Sequence, residues 1–143
     1  MSTLVQIWIR PATRAPLKPV AEAVVEVGAG LVGDHAGGGK RQVTLLSREA
    51  WQAACRDLDA ELDPVSRRAN LLVEGVDFVE TRGRRLRVGE VLLEVAGETK
   101  PCELMDDTHL GLWDALKPDW RGGVFAQVIE GGTVRQGDAL EWV

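Results

Sequence analysis

Tyrosine is absent from the 143 residues, and phenylalanine, cysteine, histidine and methionine occur only twice each. Two cysteines cannot make the disulfide framework of a small secreted domain. The N-terminus lacks the charged-then-apolar pattern of a signal segment. No apolar run approaches the roughly 20 residues that span a bilayer. With a formal net charge of −5 and a pI near 5.1, the chain also lacks the basic footprint of a nucleic-acid binder. Its five tryptophans are scattered, so no base-stacking platform is suggested. These absences point to a cytoplasmic protein in a reducing compartment, acting on neither membrane nor nucleic acid. A chain of 143 residues is the size of one domain, taken as 1–143, and can build a core without a disulfide or structural metal.

Short β-rich runs bounded by glycine and proline recur along the chain. Residues 4–9, 20–27, 42–46, 71–74, 86–88, 91–95, 124–129, 133–135 and 139–142 read as strands, and Gly89-Glu90 reads as a tight hairpin connection. Residues 10–19, with three prolines, read as a solvated connector carrying three basic residues. Ser47 is a cap for a helix running to Leu58. There Trp51, Ala54, Cys55 and Leu58 share one face, and Leu46 and Trp51 can form a hydrophobic staple. That face assigns Cys55 to packing. A second short helical pattern lies in Leu112, Trp113 and Leu116 and ends at Pro118. The sum is a mainly β chain, a barrel or curled sheet with a few short helices.

Gly28-Ala29-Gly30-Leu31-Val32-Gly33 matches the dinucleotide-binding fingerprint, which requires a following helix whose N–H groups meet the pyrophosphate. Three successive glycines at 37–39 oppose that helix. Gly39-Lys40 is followed by Arg41, not Ser or Thr, so a P-loop is excluded as well. A glycine loop remains, offering Asp34, His35, Lys40 and Arg41 to a ligand. His35 fits a proton shuttle or ligand, and equally a hydrogen bond that staples the loop. Arg67-Arg68 suits phosphate or carboxylate through its guanidinium forks, or a solvated strand entrance. Asn70, where that strand begins, can hold a backbone turn or a ligand. The arginines at 82, 84, 85 and 87 read as charged protection of a sheet edge.

Cys102 follows Pro101 and lies two residues from Lys100, where a strand gives out. A thiol reacts and binds metals as thiolate, a form favoured by a neighbouring cation or a helix start. A helix beginning near Cys102 would place partial positive charge at its sulfur. On local chemistry alone, Cys102 fits a small packing residue as well as a reactive thiol.

Arg14-Ala15-Pro16, Gly30-Leu31-Val32-Gly33-Asp34-His35, Arg41-Gln42-Val43, Arg68-Ala69-Asn70-Leu71, Gly89-Glu90, Pro101-Cys102, Arg121-Gly122-Gly123 and Gly131-Gly132-Thr133-Val134 occur in the order of a MOSC domain. This domain ends the molybdenum-cofactor sulfurases and also forms small stand-alone bacterial proteins, which the chain resembles from about Ile7 to Asp138. The resemblance implies a β-barrel fold and a cysteine that ligates molybdenum or carries sulfur, which maps onto Cys102. It implies molybdenum cofactor (molybdopterin) as ligand, with Lys40, Arg41, Arg68, Asn70 and Arg121 at the matching loop positions. Asp34 and His35 of the glycine loop join them as cofactor-binding candidates. Relatives of this kind reduce N-hydroxylated compounds, so the implied activity is reduction of a small-molecule substrate, with electrons from a separate donor protein. The alternatives are a sulfur carrier, its persulfide on Cys102 filled by a sulfur donor protein, and a non-catalytic cofactor-binding domain. The N-terminal partner domain and the pyridoxal-phosphate desulfurase domain of larger relatives have no counterpart in the sequence. The family's association with pyridoxal phosphate finds no lysine in a Schiff-base setting.

Overall fold

The computed structural model describes residues 2–35 and 38–143. The glycine-loop reading at positions 36 and 37 lies outside the described residues. Eleven strands are present among those described: β1 (Thr3–Ile9), β2 (Lys18–Val20), β3 (Glu22–Glu26), β4 (Gly30–Leu31), β5 (Val43–Ser47), β6 (Leu71–Glu74), β7 (Arg85–Val88), β8 (Val91–Glu98), β9 (Val124–Glu130), β10 (Gly132–Arg135) and β11 (Leu140–Trp142). Two α-helices, α1 (Arg48–Asp57) and α2 (Leu112–Leu116), and three short 3-10 turns complete the order.

One eight-stranded sheet runs β11-β7-β8-β9-β5-β6-β1-β2, and a three-stranded sheet runs β10-β3-β4. Only β5 and β6 pair in parallel; α1 lies in the crossover between them. The mainly β class read from the sequence is correct, but the barrel is not closed by a continuous ladder. Its seam is a single bridge between Thr3 and Ala139, flanked by hydrogen bonds from Leu4 N to the Asp138 carbonyl (2.8 Å) and from Gly137 N to the Leu4 carbonyl (2.8 Å). The proline-rich connector holds a strand after all. Pro19 in β2 pairs with β1 at the sheet edge, where a missing N–H is tolerated.

The sheet buries both faces. Its concave side packs Leu4, Leu45, Leu71, Leu86, Leu93 and Val124 against Val25, Leu31 and Val134 of the small sheet. The outer side packs Trp8, Leu46 and Leu72 against Trp51, Ala54 and Cys55 of α1 and Leu112 and Leu116 of α2. Central β5 is therefore buried at every residue, as expected of a strand covered on both sides. Ser47 caps α1, its Oγ accepting from Ala50 N at 3.2 Å, a contact worth about 1 kcal/mol. The i, i+3, i+4 spacing in α1 puts Cys55 in the core, as the sequence requires.

This topology brings four chain crossings together in the middle of the sheet. β6 and β9 both begin beside Leu45 of β5, at Leu71 on one flank and Val124 on the other. β1 pairs with the start of β6 through Ile7 and Leu71, and β8 with the start of β9 through Glu98 and Val124. The chain leaving β1, entering β6, leaving β8 and entering β9 thus converges on one spot, and loops can gather side chains there.

A candidate anion cleft beside an exposed cysteine

A cleft of about 200 Å³ opens at this convergence, and Arg10, Arg41, Arg67, Arg68, Thr99 and Gly122 are among the residues lining it. The four arginines are not equivalent. Arg10, directly after β1, is nearly buried and tied to a fully buried Asp34 carboxylate. Its Nε and Nη2 donate to Asp34 Oδ1 and Oδ2 at 3.1 and 2.9 Å, and its backbone N donates to Oδ1 at 2.7 Å. Arg10 Nη1 donates to the Arg68 carbonyl at 3.3 Å, and Nη2 to Asn70 Oδ1 at 3.1 Å. Asn70, itself 0% exposed, accepts from Thr44 N at 3.1 Å and donates to the Trp8 carbonyl and to Asp34 Oδ1, each at 3.2 Å.

Burial would push the Asp34 carboxyl up. Hydrogen bonds from the Arg10 side chain and backbone, the Arg10 charge and the Asn70 amide outweigh it and hold Asp34 below the usual carboxylate value. Arg10 is therefore neutralised where it stands, and the connector reading of its charge is wrong for this residue.

Arg41, Arg67 and Arg68 have no carboxylate within ion-pair distance among the described residues. Arg41 lies 5.0 Å over the Phe125 ring. Arg67 donates from Nε to the Gly122 carbonyl at 3.0 Å and from Nη2 to the Thr99 carbonyl at 2.8 Å. Burial pushes the Arg67 pKa down, the charge on Cys102 works against that shift, and Arg41 adds to it. A half-buried cation without a carboxylate partner is costly, and a bound anion would relieve that cost. Thr99 completes the picture: its Oγ1 is buried with no hydrogen-bond partner. Native structures leave few such groups, and this one lines the cleft.

Gly122 permits the tight approach of the two loops that Arg67 joins. A Cβ on it would lie 2.5 Å from the Thr99 carbonyl oxygen and 3.3 Å from Pro101 Cδ. Gly122→Ala is expected to destabilise the fold by about 1–3 kcal/mol, the usual range for overpacking, measured as a lower urea midpoint.

Cys102 is exposed and precedes a five-residue 3-10 turn, Glu103–Asp107, whose Met105 lines the cleft. The helix anticipated at its sulfur is too short to carry a useful dipole. Sequence reasoning offered the Arg67-Arg68 pair to an anion, and the family resemblance then singled out Arg68 and passed over Arg67. Position 67 ends one turn of 3-10 helix (Pro64–Arg67) and position 68 caps it; Arg67 Nη2 reaches the Thr99 carbonyl and Arg68 Nη1 the Ala15 carbonyl.

The other candidates lie elsewhere. Arg121 donates from Nη1 to Asp57 Oδ2 at 2.6 Å and to the Ala115 carbonyl at 2.9 Å, tying α1 to α2 away from the cleft. Lys40 is exposed on a turn outside the lining. His35 bonds the Arg10 carbonyl through both its backbone N (2.8 Å) and its Nδ1 (3.0 Å), stapling the loop. Among the described residues no three His, Cys, Asp or Glu side chains cluster for metal binding. A larger depression of about 790 Å³ runs along α1 past Trp51 and Cys55, and contains none of the candidate residues.

A β-rich body of two packed sheets with a cationic cleft places the chain in the curled-sheet class. The MOSC domain model matches residues 32–141, and the chain belongs to the MOSC domain family. No curated protein matches it. Among solved structures, YuaD from Bacillus subtilis is 19% identical with a TM-score of 0.82, the match covering 98% of this chain and 94% of that one. YiiM from Geobacillus stearothermophilus is 17% identical (TM-score 0.78; 100% and 75% covered) and YiiM from Escherichia coli 21% identical (0.76; 100% and 70%). At such identities the likeness is one of fold. No helix among the described residues is long and apolar enough to cross a membrane.

Proposed function

We propose that the protein binds molybdenum cofactor and reduces small N-hydroxylated compounds, with Cys102 as the sulfur ligand of the metal. The observation that carries this reading is a cleft lined by three arginines without carboxylate partners and an unsatisfied buried hydroxyl, Thr99 Oγ1, with the exposed Cys102 three residues from Thr99 and within charge reach of Arg67. The donor set fits the group. Guanidinium forks and a hydroxyl suit a phosphate ester, and a soft thiolate suits a metal whose other sulfur ligands come from a pterin dithiolene.

When bound, the cofactor supplies the two-electron chemistry that removes oxygen from the substrate. The chain's own residues bind and orient. Arg41, Arg67 and Arg68 neutralise the phosphate, and Thr99 Oγ1 donates the hydrogen bond it lacks. Arg10 shapes the wall without adding net charge, because Asp34 cancels it. Reducing equivalents come from a separate donor protein, since the sequence carries no flavin or iron–sulfur pattern.

A second reading is favoured by the exposure of Cys102: a sulfur carrier that exchanges a persulfide with a donor protein. Molybdenum and fluorescent oxidised pterin, measured per chain after expression in a cofactor-making host, separate the two. The reductase reading expects both to approach one. Cyanide-releasable sulfur on the thiol without molybdenum would replace it with the carrier.

A further inference from the structure

Arg68 sits in a conformation that arginine seldom adopts. It closes the 3-10 turn with φ 60° and ψ 37°, the left-handed region, at a helix-end position where glycine is the usual choice. Arg14, Asp59, Glu80, Asp119 and Trp120 also have positive φ, but of these six residues Arg68 alone lines the cleft. Strained backbone of this kind persists only where the surroundings over-determine it. Here they do so from three directions: Arg68 N donates to the Val65 carbonyl at 2.9 Å, Arg68 Nη1 donates to the Ala15 carbonyl at 2.9 Å, and Arg10 Nη1 donates to the Arg68 carbonyl.

The third of these is built from buried parts. Asp34 and Asn70 have side chains with no exposed surface, and between them they engage Arg10 Nε and Nη2. That leaves Arg10 Nη1 facing the Arg68 carbonyl. Neither Asp34 nor Asn70 lines the cleft. We propose that both are positioning residues: acting through Arg10, they hold Arg68 in its left-handed backbone conformation and so keep its guanidinium on the cleft wall. This rests on the reading of the cleft as an anion site, and it reassigns two residues that the sequence offered as ligand contacts.

Two readouts test it separately. The first is the backbone conformation of Arg68 by NMR, from its amide-to-α coupling and the shifts of residues 67–69, with no ligand added. The second is the Kd for inorganic phosphate by calorimetry. Asn70→Ser, which leaves Arg10 paired with Asp34, is expected to move Arg68 out of the left-handed region and to weaken phosphate binding by about tenfold, the scale of one charge-assisted contact. Arg68→Gly is expected to weaken phosphate to the same degree while its urea midpoint holds or rises, because glycine removes the strain. In the double variant phosphate binding falls no further than in Arg68→Gly alone.

Asp34→Asn serves as the second variant for the NMR readout alone, where the same change at Arg68 is expected, because it also frees the Arg10 charge in the cleft and so offsets a loss of phosphate. An unchanged Arg68 conformation in these variants overturns the proposal. So does a phosphate loss that adds to that of Arg68→Gly, or an Arg68→Gly protein with a clearly lower urea midpoint. If the wild type binds no phosphate, the cleft reading fails by itself, and the NMR comparison still decides what holds Arg68.

Discussion

Replacing Cys102 by serine is expected to abolish molybdenum retention while leaving the fold as stable as before. The two halves of this expectation have different origins. A serine hydroxyl is a hard, protonated donor at neutral pH, and a metal already held by sulfur gains little from it. The described residues offer no cluster of other side chains to take over. Stability, by contrast, has little reason to fall. Cys102 is exposed and its side chain makes no capping hydrogen bond to the turn that follows, so the change belongs with surface substitutions, which usually stay within about 0.5 kcal/mol. Serine is also a better residue than cysteine at the start of a helical turn. The result is read from metal per chain by plasma mass spectrometry beside the urea midpoint of the same preparations. Full molybdenum content in Cys102→Ser would remove the thiol from the metal. A fall in metal together with a collapse in stability would mean that the thiol matters to the fold, and would leave its ligand role without support.

Cys55 is the natural control. It is buried with Trp51 and Ala54 in the cluster under α1, and Cys55→Ala is a small core truncation far from the cleft lining. Only Cys102 combines exposure with a cationic neighbour, and a thiol needs both to act as ligand or nucleophile.

The strands and α1 were legible in the sequence because their patterns are local. Alternation, turn glycines and the Ser47 cap act over a few residues. The cleft was legible only in part, because its parts come from chain segments far apart. Cys102 showed itself through Pro101 and the basic residues nearby. Arg10 did not, since a lone arginine before proline reads as solvent-facing until Asp34, 24 residues on, is seen folded against it. Thr99 gave no signal, because an unsatisfied hydroxyl is a property of packing. Arg121 misled in the opposite way. It stands beside the Gly122-Gly123 turn that helps to build the cleft, yet its guanidinium points to Asp57. The likeness to a family pointed to loops that meet at the cleft, and the hydrogen bonds show which of their side chains are tied up elsewhere. The small sheet strand β4 was missed for a similar reason. Two residues carry no periodicity, and Gly30 and Leu31 form a strand only because Val25 and Glu26 pair with them.

Asp34→Ala is expected to be the most destabilising single substitution in the site, by about 3–5 kcal/mol, the range for stranding one partner of a buried ion pair. The loss is large because Arg10 keeps its charge. Its remaining partners are the Asn70 amide oxygen and the Arg68 carbonyl, dipoles that cannot replace a carboxylate held by four hydrogen bonds. Against a total stability of roughly 5–15 kcal/mol, urea midpoints should separate clearly at pH 7. The pH dependence then identifies the cause. The folded-state pKa of Asp34 lies below its unfolded value, since the Arg10 contacts outweigh burial. The unfolded chain therefore binds the proton more readily, and the ionised pair stabilises the fold fully above the unfolded value near ~3.9. That stabilisation is lost as pH falls from there through the lower folded-state pKa. The gap between wild type and Asp34→Ala should accordingly be constant from pH 7 to about 5 and should narrow on further acidification. A gap that stays the same width at pH 3 would assign the loss to the cavity left by the side chain, and the Asp34–Arg10 pair would then be a packing feature with no electrostatic hold on the cleft.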